Sequence, residues 1–394
     1  MHAGVLGAVP LLPRVALAGP TIDLGLPGGD GVRSLTTAFP GKGRLVLQRT
    51  RPPLLETPFE VFDEALLTPN DSFYVRWHWS NIPTEIDVQA FRLRVRGHVQ
   101  RPIELSLADL AVLPSVEIIA VNQCSGNSRG FFQPRVSGGQ WGNGSMGNAK
   151  WTGVRLKDVL DSAGVGAGAV AVRFAGLDHA VMPGGPDFIK SLAIDHARDG
   201  EVMIAYAMND EPLPFLNGFP LRLVVPGWYG TYWIKMLTDI EVLATADQSY
   251  WMTDAYLVPN RPHASMAPDD KDVRMVPIGR MNPRSFATNL QTGAHVTADA
   301  PISLRGIAFG GDCGVARVAV STDGGRSWQN ARLDRDLGKY SFRRWDISIT
   351  PARGEQRVLV RCTNTNNVEQ PAAPVWNRGG FMQNVIEAVT FTAT

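Results

Sequence analysis

Cysteine is scarce in this sequence: Cys124, Cys313 and Cys362 are the only three in 394 residues, and they lie far apart. No two share C-x-x-C spacing, there is no C-x-x-C-H and there is no fourth cysteine. Covalent haem, a thioredoxin-type couple and an all-cysteine iron–sulfur cluster are therefore excluded. The odd count argues against a disulfide framework and leaves open whether Cys313 pairs with Cys362 inside one β module. Long apolar runs are missing too. No uninterrupted stretch of about 18 apolar residues occurs, so no transmembrane helix is predicted. Excess charge of one sign is also lacking, with 38 Lys and Arg against 37 Asp and Glu. That balance excludes a strong overall field toward nucleic acid or an anionic membrane, while leaving room for a local basic pocket. Neither His179 nor His196 has a partner at metal-ligand spacing, so zinc chemistry finds no support.

What is present is ample apolar content, 44% of the chain, enough at this length for two domains. Residues 1–55 are rich in Gly, Pro and Leu without a period, and are expected to form a loosely attached arm. Its apolar start ends in Ala16-Leu17-Ala18, the small-x-small form of a signal-peptidase site. Pro10, Pro13 and Arg14 interrupt the run and no basic n-region precedes it, so an export signal and an ordinary terminus both stay open.

From residue 56 the pattern changes. Short apolar runs at 91–95, 170–174 and 221–225 predict strands. Ser106 is placed to cap a short helix at 107–110, with Asp109 completing a capping box. A second helix is predicted over 156–163, with Val159 and Leu160 inward and Gly164 as its stop. Strands and helices mixed without βαβ alternation indicate an α+β domain over 56–248. After a connector at 249–270, residues 271–394 carry only strand patterns, at 302–309, 316–321, 327–333, 340–349 and 357–363. Turn signals such as Asp323-Gly324-Gly325 separate them at the spacing of an immunoglobulin-like β-sandwich.

Cys124 follows the apolar strand 116–121 and opens a turn rich in Gly and Asn, where backbone can approach a ligand closely. An isolated cysteine is more often a small buried hydrophobe. Here the polar turn and Arg129, five residues on, favour the thiolate, a soft ligand for a transition metal. Arg76 and His78 stand two apart on a strand and so share a face.

The segment NQCSGNSRGFF around Cys124 resembles the cysteine motif of the sulfite oxidase family, in which that thiolate binds molybdenum beside a pterin dithiolene. FYVRWH at 73–78, NGFPLRLVVPG at 217–227, TYWIKML at 231–237, and the C-terminal STDGGRSW and APVWNRGGFMQN match in the family's order, from about residue 58 onward. The resemblance implies a sulfite-oxidase-type molybdopterin-binding domain followed by an immunoglobulin-like dimerisation domain. It makes Cys124 the metal ligand. It places Arg76, His78, Arg129 and Tyr256, five residues after Trp251, at the substrate anion. It assigns Tyr74, Val75, Arg76, Trp77, His78, Asp178, Asn217, Arg222, Trp233, Ile234 and Lys235 to the cofactor, Asn217 standing where animal members usually carry His.

The activity it implies is oxidation of sulfite to sulfate at a molybdenum-molybdopterin centre, most like the bacterial periplasmic sulfite dehydrogenases. With no haem expected in this chain, electrons go to an external acceptor, a cytochrome c first and molecular oxygen second. A homodimer and a periplasmic home are expected. The rival readings are a related molybdoenzyme reducing nitrate or a sulfoxide, and a metal-free binding protein that works through its β-sandwich.

Overall fold

In the computed structural model residues 19–394 are described, and the Ala16-Leu17-Ala18 site lies outside them. The strand Ser115–Gln123 runs directly into Cys124. Its first half alternates between exposed and covered residues, whereas Ala120 to Gln123 are buried on both faces. Alternation persists only where one face meets water. The second domain covers the far half, and the Val121 N–H donates to the Tyr340 carbonyl at 2.8 Å. Ser115–Gln123 pairs antiparallel with Met146–Arg155, which pairs with Met203–Met208.

A second sheet runs in the order Ile189–Ala193, Ala171–Ala175, Asp239–Leu243, Leu93–Gly97, Ile103–Leu105. Helices are few and short. Leu156–Ala163 buries Leu156, Val159, Leu160 and Ala163, and Gly164 ends it at φ 72°. Each large side chain buried there contributes roughly 1.5–3 kcal/mol. The predicted capping box forms at Ser106 and Asp109.

The arm expected over 1–55 is corrected by the structure in its described part. Thr21–Asp23, Val32–Thr36, Leu45–Arg49 and Leu54–Glu56 build an antiparallel sheet that ends on Val75–Arg76. Leu45 and Leu55 are fully buried in a cluster with Val75, Trp77 and Met236. Strands of three to five residues carry little local pattern. Their apolar partners lie far along the chain, so tertiary packing sets them rather than propensity.

The C-terminal sandwich sets the sheet of Arg284–Ala287, Ile302–Phe309, Arg343–Ile349 and Arg332–Leu333 against that of His295–Val296, Glu387–Ala393, Gly354–Asn364, Val315–Ser321 and Gln329–Asn330. Cys313 and Cys362 are not paired. Burial raises the Cys362 thiol, which donates to the Phe309 carbonyl at 3.7 Å. The main hydrophobic cluster is continuous across the two domains, joining Phe62 and Trp151 to Phe286, Phe309 and Phe342. Asp63 adds a polar tie by accepting from Arg305 Nε at 2.9 Å and Thr288 Oγ1 at 2.7 Å. The architecture is an α+β domain followed by an immunoglobulin-like β-sandwich, mostly β with few helices.

Candidate active site

The strand around Val75–Arg76 sorts its side chains by the period of two. Tyr74, Arg76 and His78 face one cavity, while Val75 and Trp77 turn away into the cluster with Leu45 and Leu55. The predicted Arg76–His78 face is therefore present. The side chains of Val75 and Trp77 lie outside the cavity, which leaves their main chain as the part that could meet a cofactor. Trp77 is instead a support, its Nε1 donating to the Leu216 carbonyl at 3.0 Å and its ring lying 4.4 Å from the Lys235 ammonium. The Trp233 and Ile234 side chains are packed in the core, which is compatible with the backbone contacts expected of residues 232–235. Asp178 is 5% exposed and does not line the cavity, although its charge opposes the fall of the Lys235 pKa.

Cys124 lines the same cavity beside Ser125. The chain leaves the strand at Gln123, and a tight turn follows in which the Asn127 N–H donates to the Cys124 carbonyl at 3.0 Å. Asn127 Oδ1 accepts from the Ser145 N–H at 3.0 Å and from Ser145 Oγ at 2.8 Å, while the Cys124 N–H donates to the Ser145 carbonyl. The turn is thus hydrogen-bonded from both sides, and the thiol is presented by backbone that has little freedom to move.

Arg222 is 4% exposed and lines the cavity. It donates to the Asn217 carbonyl at 2.8 Å and to Asn122 Oδ1 at 3.3 Å, and lies 5.3 Å and 5.8 Å from the Trp151 and Trp233 rings. Tyr74 OH donates to the same Asn122 oxygen. A Cβ at Gly230 would come within 2.9 Å of Tyr74 OH and 3.0 Å of Asn122 Nδ2. Gly230→Ala is expected to push this network apart at a cost of about 1–3 kcal/mol. Urea unfolding of the variant checks this, and an unchanged midpoint would show that the walls can yield.

Tyr256 has φ +57°, a left-handed backbone that a bulky residue rarely adopts. Its hydroxyl lies 2.6 Å from His78 Nε2, and its ring stacks on Phe381 from the second domain at 5.2 Å. Phe188 stacks on His78 at 3.3 Å. Two residues on, Lys190 is fully buried, donates to the Trp251 carbonyl at 2.6 Å, and sits 4.7 Å and 5.7 Å from the Tyr232 and Tyr256 rings. Sequence reasoning missed Phe188 and Lys190, although the period of two along Ile189–Ala193 places them on one face. It also missed Lys42 and Asn122.

Arg129 stands beside the cavity but does not line it. Its Nε and Nη2 donate to the Gly379 carbonyl at 3.2 Å and 3.0 Å, and its guanidinium lies 5.0 Å from the Phe381 ring. The structure therefore brings together Arg76, His78, Cys124, Asn217, Arg222, Lys235 and Tyr256, and holds Arg129 behind them against the second domain.

Burial dominates the electrostatics. It lowers Lys42 to about 7, opposed by Asp71, and Lys190 to about 7, opposed by Asp247. Lys235 falls in the same direction, with Arg222 adding to burial and Asp178 opposing. His78 is pushed well below its usual value by burial and then by Arg76, Lys235 and Lys190, so its ring is neutral at pH 7. Burial raises the Tyr256 phenol, keeping it protonated.

Unfolded lysine keeps its proton to about 10.4, so between about pH 7 and that value the unfolded chain binds more protons than the folded one. Stability of the cofactor-free protein should rise from pH 7 to pH 9, because the cost of burying these charges is relieved as they lose their protons. A bound anionic cofactor would hold the lysines charged and flatten that slope. Urea midpoints of the two forms across this range test the sign, and a fall in the cofactor-free form would contradict it.

Buried donors at the cavity are in excess. Arg76 Nη1, Asn122 Nδ2, Ser125 Oγ and Arg222 Nε have no hydrogen-bond partner among the described residues. Unpaired donors, several cations and one free thiol fit a group that offers anionic oxygens, amide-like edges and a metal that accepts sulfur. A molybdopterin with its metal meets those requirements, with Cys124 as the protein ligand and Asn217, Arg222 and Lys235 able to hold the pterin and its phosphate.

Known proteins agree with this chemistry. Residues 79–251 match the oxidoreductase molybdopterin binding domain family, and residues 276–393 match the Mo-co oxidoreductase dimerisation domain family. The chain is 32% identical over 360 residues to mitochondrial sulfite oxidase of Homo sapiens, covering 86% of this chain and 64% of the relative's length. It is 33% identical to sulfite oxidase of Gallus gallus, covering 83% of this chain and 73% of that protein. The crystal structure of sulfane dehydrogenase from Paracoccus pantotrophus shares the fold, with a TM-score of 0.72 over 87% of each chain at 24% identity. The cavity's thiol and cations, the match to both domains and the identity to sulfite oxidases place this chain in the sulfite oxidase family of molybdopterin-binding oxidoreductases.

Proposed function

We propose that the protein oxidises sulfite to sulfate and passes the electrons to an external acceptor, a cytochrome c, as bacterial periplasmic sulfite dehydrogenases do. The observation that carries this reading is the cavity itself, where the Cys124 thiol and the unpaired Arg76 Nη1 donor face one space with His78 and Tyr256. When bound, the molybdenum centre supplies oxygen-atom transfer and takes up two electrons. The chain's own residues bind and orient the anion. Arg76 offers a charge-assisted hydrogen bond to a sulfite oxygen. Neutral His78 leaves the net charge of the pocket to the guanidinium and ammonium groups. When its Nε2 carries the ring hydrogen and donates to Tyr256, the phenol's own hydrogen is free for the substrate. The rings of Phe188, Trp251, Tyr256 and Phe381 wall the site and limit water, which strengthens these contacts.

The same reading makes the protein a homodimer through residues 276–393 and places it in the periplasm, where a soluble cytochrome partner is at hand. Purified protein from a cofactor-competent host decides among the readings. Sulfite-dependent reduction of oxidised cytochrome c is expected. Turnover of nitrate or a sulfoxide without sulfite activity would favour the reductase alternative, and protein free of molybdenum would favour a binding protein.

A further inference from the structure

Lys42 lies just before the strand Leu45–Arg49, in the segment whose composition suggests an arm, yet it is only 9% exposed. Each of its three ammonium hydrogens has an acceptor: the Asn70 carbonyl at 2.7 Å, the Phe73 carbonyl at 3.0 Å, and Asn217 Oδ1. Those bonds settle which way the Asn217 amide faces. Its oxygen takes the lysine, so its NH2 group turns to the Tyr74 carbonyl at 3.0 Å. The Asn217 main-chain oxygen meanwhile receives Arg222. One side chain therefore ties together two walls of the cavity, residues 70–74 and the turn at 217–222.

A buried ammonium whose acceptors are all neutral is costly to fold, because neutral acceptors only partly replace its hydration. Asp71 offsets part of that cost, and Arg222, close enough to act on it electrostatically, adds to it. An anion bound against Asn217 and Arg222 offsets it. We propose that Lys42 is a positioning residue of the molybdopterin pocket, which sets Asn217 and the Tyr74 carbonyl and, with Arg222, supplies the positive charge that the anionic end of the pterin meets. This inference rests on the cavity being the pterin site.

The test compares full-length wild type, Lys42→Met, Lys42→Gln, Asn217→Leu and the Lys42→Met/Asn217→Leu double variant from a cofactor-competent host. Molybdenum and pterin are measured per protomer, alongside the urea midpoint of each cofactor-free form. Lys42→Met should lose about tenfold in bound cofactor. The double variant should lose clearly less than the product of the two single losses, since Lys42 acts in part through Asn217. Lys42→Gln, which keeps two donors but no charge, should fall between.

Full loading of Lys42→Met, or losses that multiply in the double variant, would overturn the proposal. So would a midpoint that falls in step with cofactor content across the series, which marks a purely structural role. Should Lys42→Met fail to fold, Lys42→Gln carries the test: reduced loading supports the proposal and wild-type loading overturns it. Wild type that itself holds no pterin would instead sink the reading of the cavity.

Discussion

Cys124→Ser should abolish the proposed sulfite turnover, by about a thousandfold or more, while leaving the protein folded. The two side chains differ little in volume, and the turn is held by groups that serine leaves intact, the Cys124 N–H to the Ser145 carbonyl and the Asn127 contacts. What changes is the ligand. A cysteine thiolate binds a metal through a soft, polarisable sulfur, whereas a serine hydroxyl is a hard ligand. Pterin should remain, because Arg222 and Lys235 would hold it independently of the sulfur. Molybdenum and pterin measured per protomer, together with steady-state sulfite oxidation, separate loss of the ligand from loss of the cofactor. Turnover within about tenfold of the parent would remove the central role of the sulfur.

Much of this site is legible in the sequence because it rests on short-range rules. The Arg76–His78 face follows from the period of two, and the helix Leu156–Ala163 from its apolar stripe and its terminal glycine. The position of Cys124 at a strand end follows from the change from apolar residues to Gly and Asn. Residues that act through long-range contacts were not legible. Lys42 sits among glycines and prolines and meets Asn217 only after the chain has built the intervening sheet, 175 residues later. Arg129 is legible by its spacing but not by its contacts. Its spacing from Cys124 is that of a pocket residue, but the loop at Gly379 comes close enough to take its donors. The N-terminal sheet stayed hidden because each strand is too short to reveal its face, and Leu45 and Leu55 find Val75 and Trp77 only in three dimensions.

Arg76 and Arg129 allow a second test, since motif spacing assigns both to the substrate and the structure does not treat them alike. Arg76 has a buried Nη1 without a partner among the described residues, and it lines the cavity. A charge-assisted hydrogen bond to an anion is worth about 1.5–3 kcal/mol, so Arg76→Gln should raise the sulfite KM by roughly ten- to a hundredfold. The kcat should fall less, because the contact exists before the reaction begins. Arg129 has already given two donors to Gly379, and moving them to sulfite would leave that carbonyl unpaired. Arg129→Gln should therefore change KM at least about tenfold less than Arg76→Gln does, and should instead lower the urea midpoint by loosening the contact between the domains. Initial rates across sulfite concentration, with unfolding curves for both variants, measure the contrast. A KM effect that is equal in the two, or larger at Arg129, would mean that the Gly379 loop withdraws when sulfite binds, and the division of labour drawn from their contacts would have to be reversed.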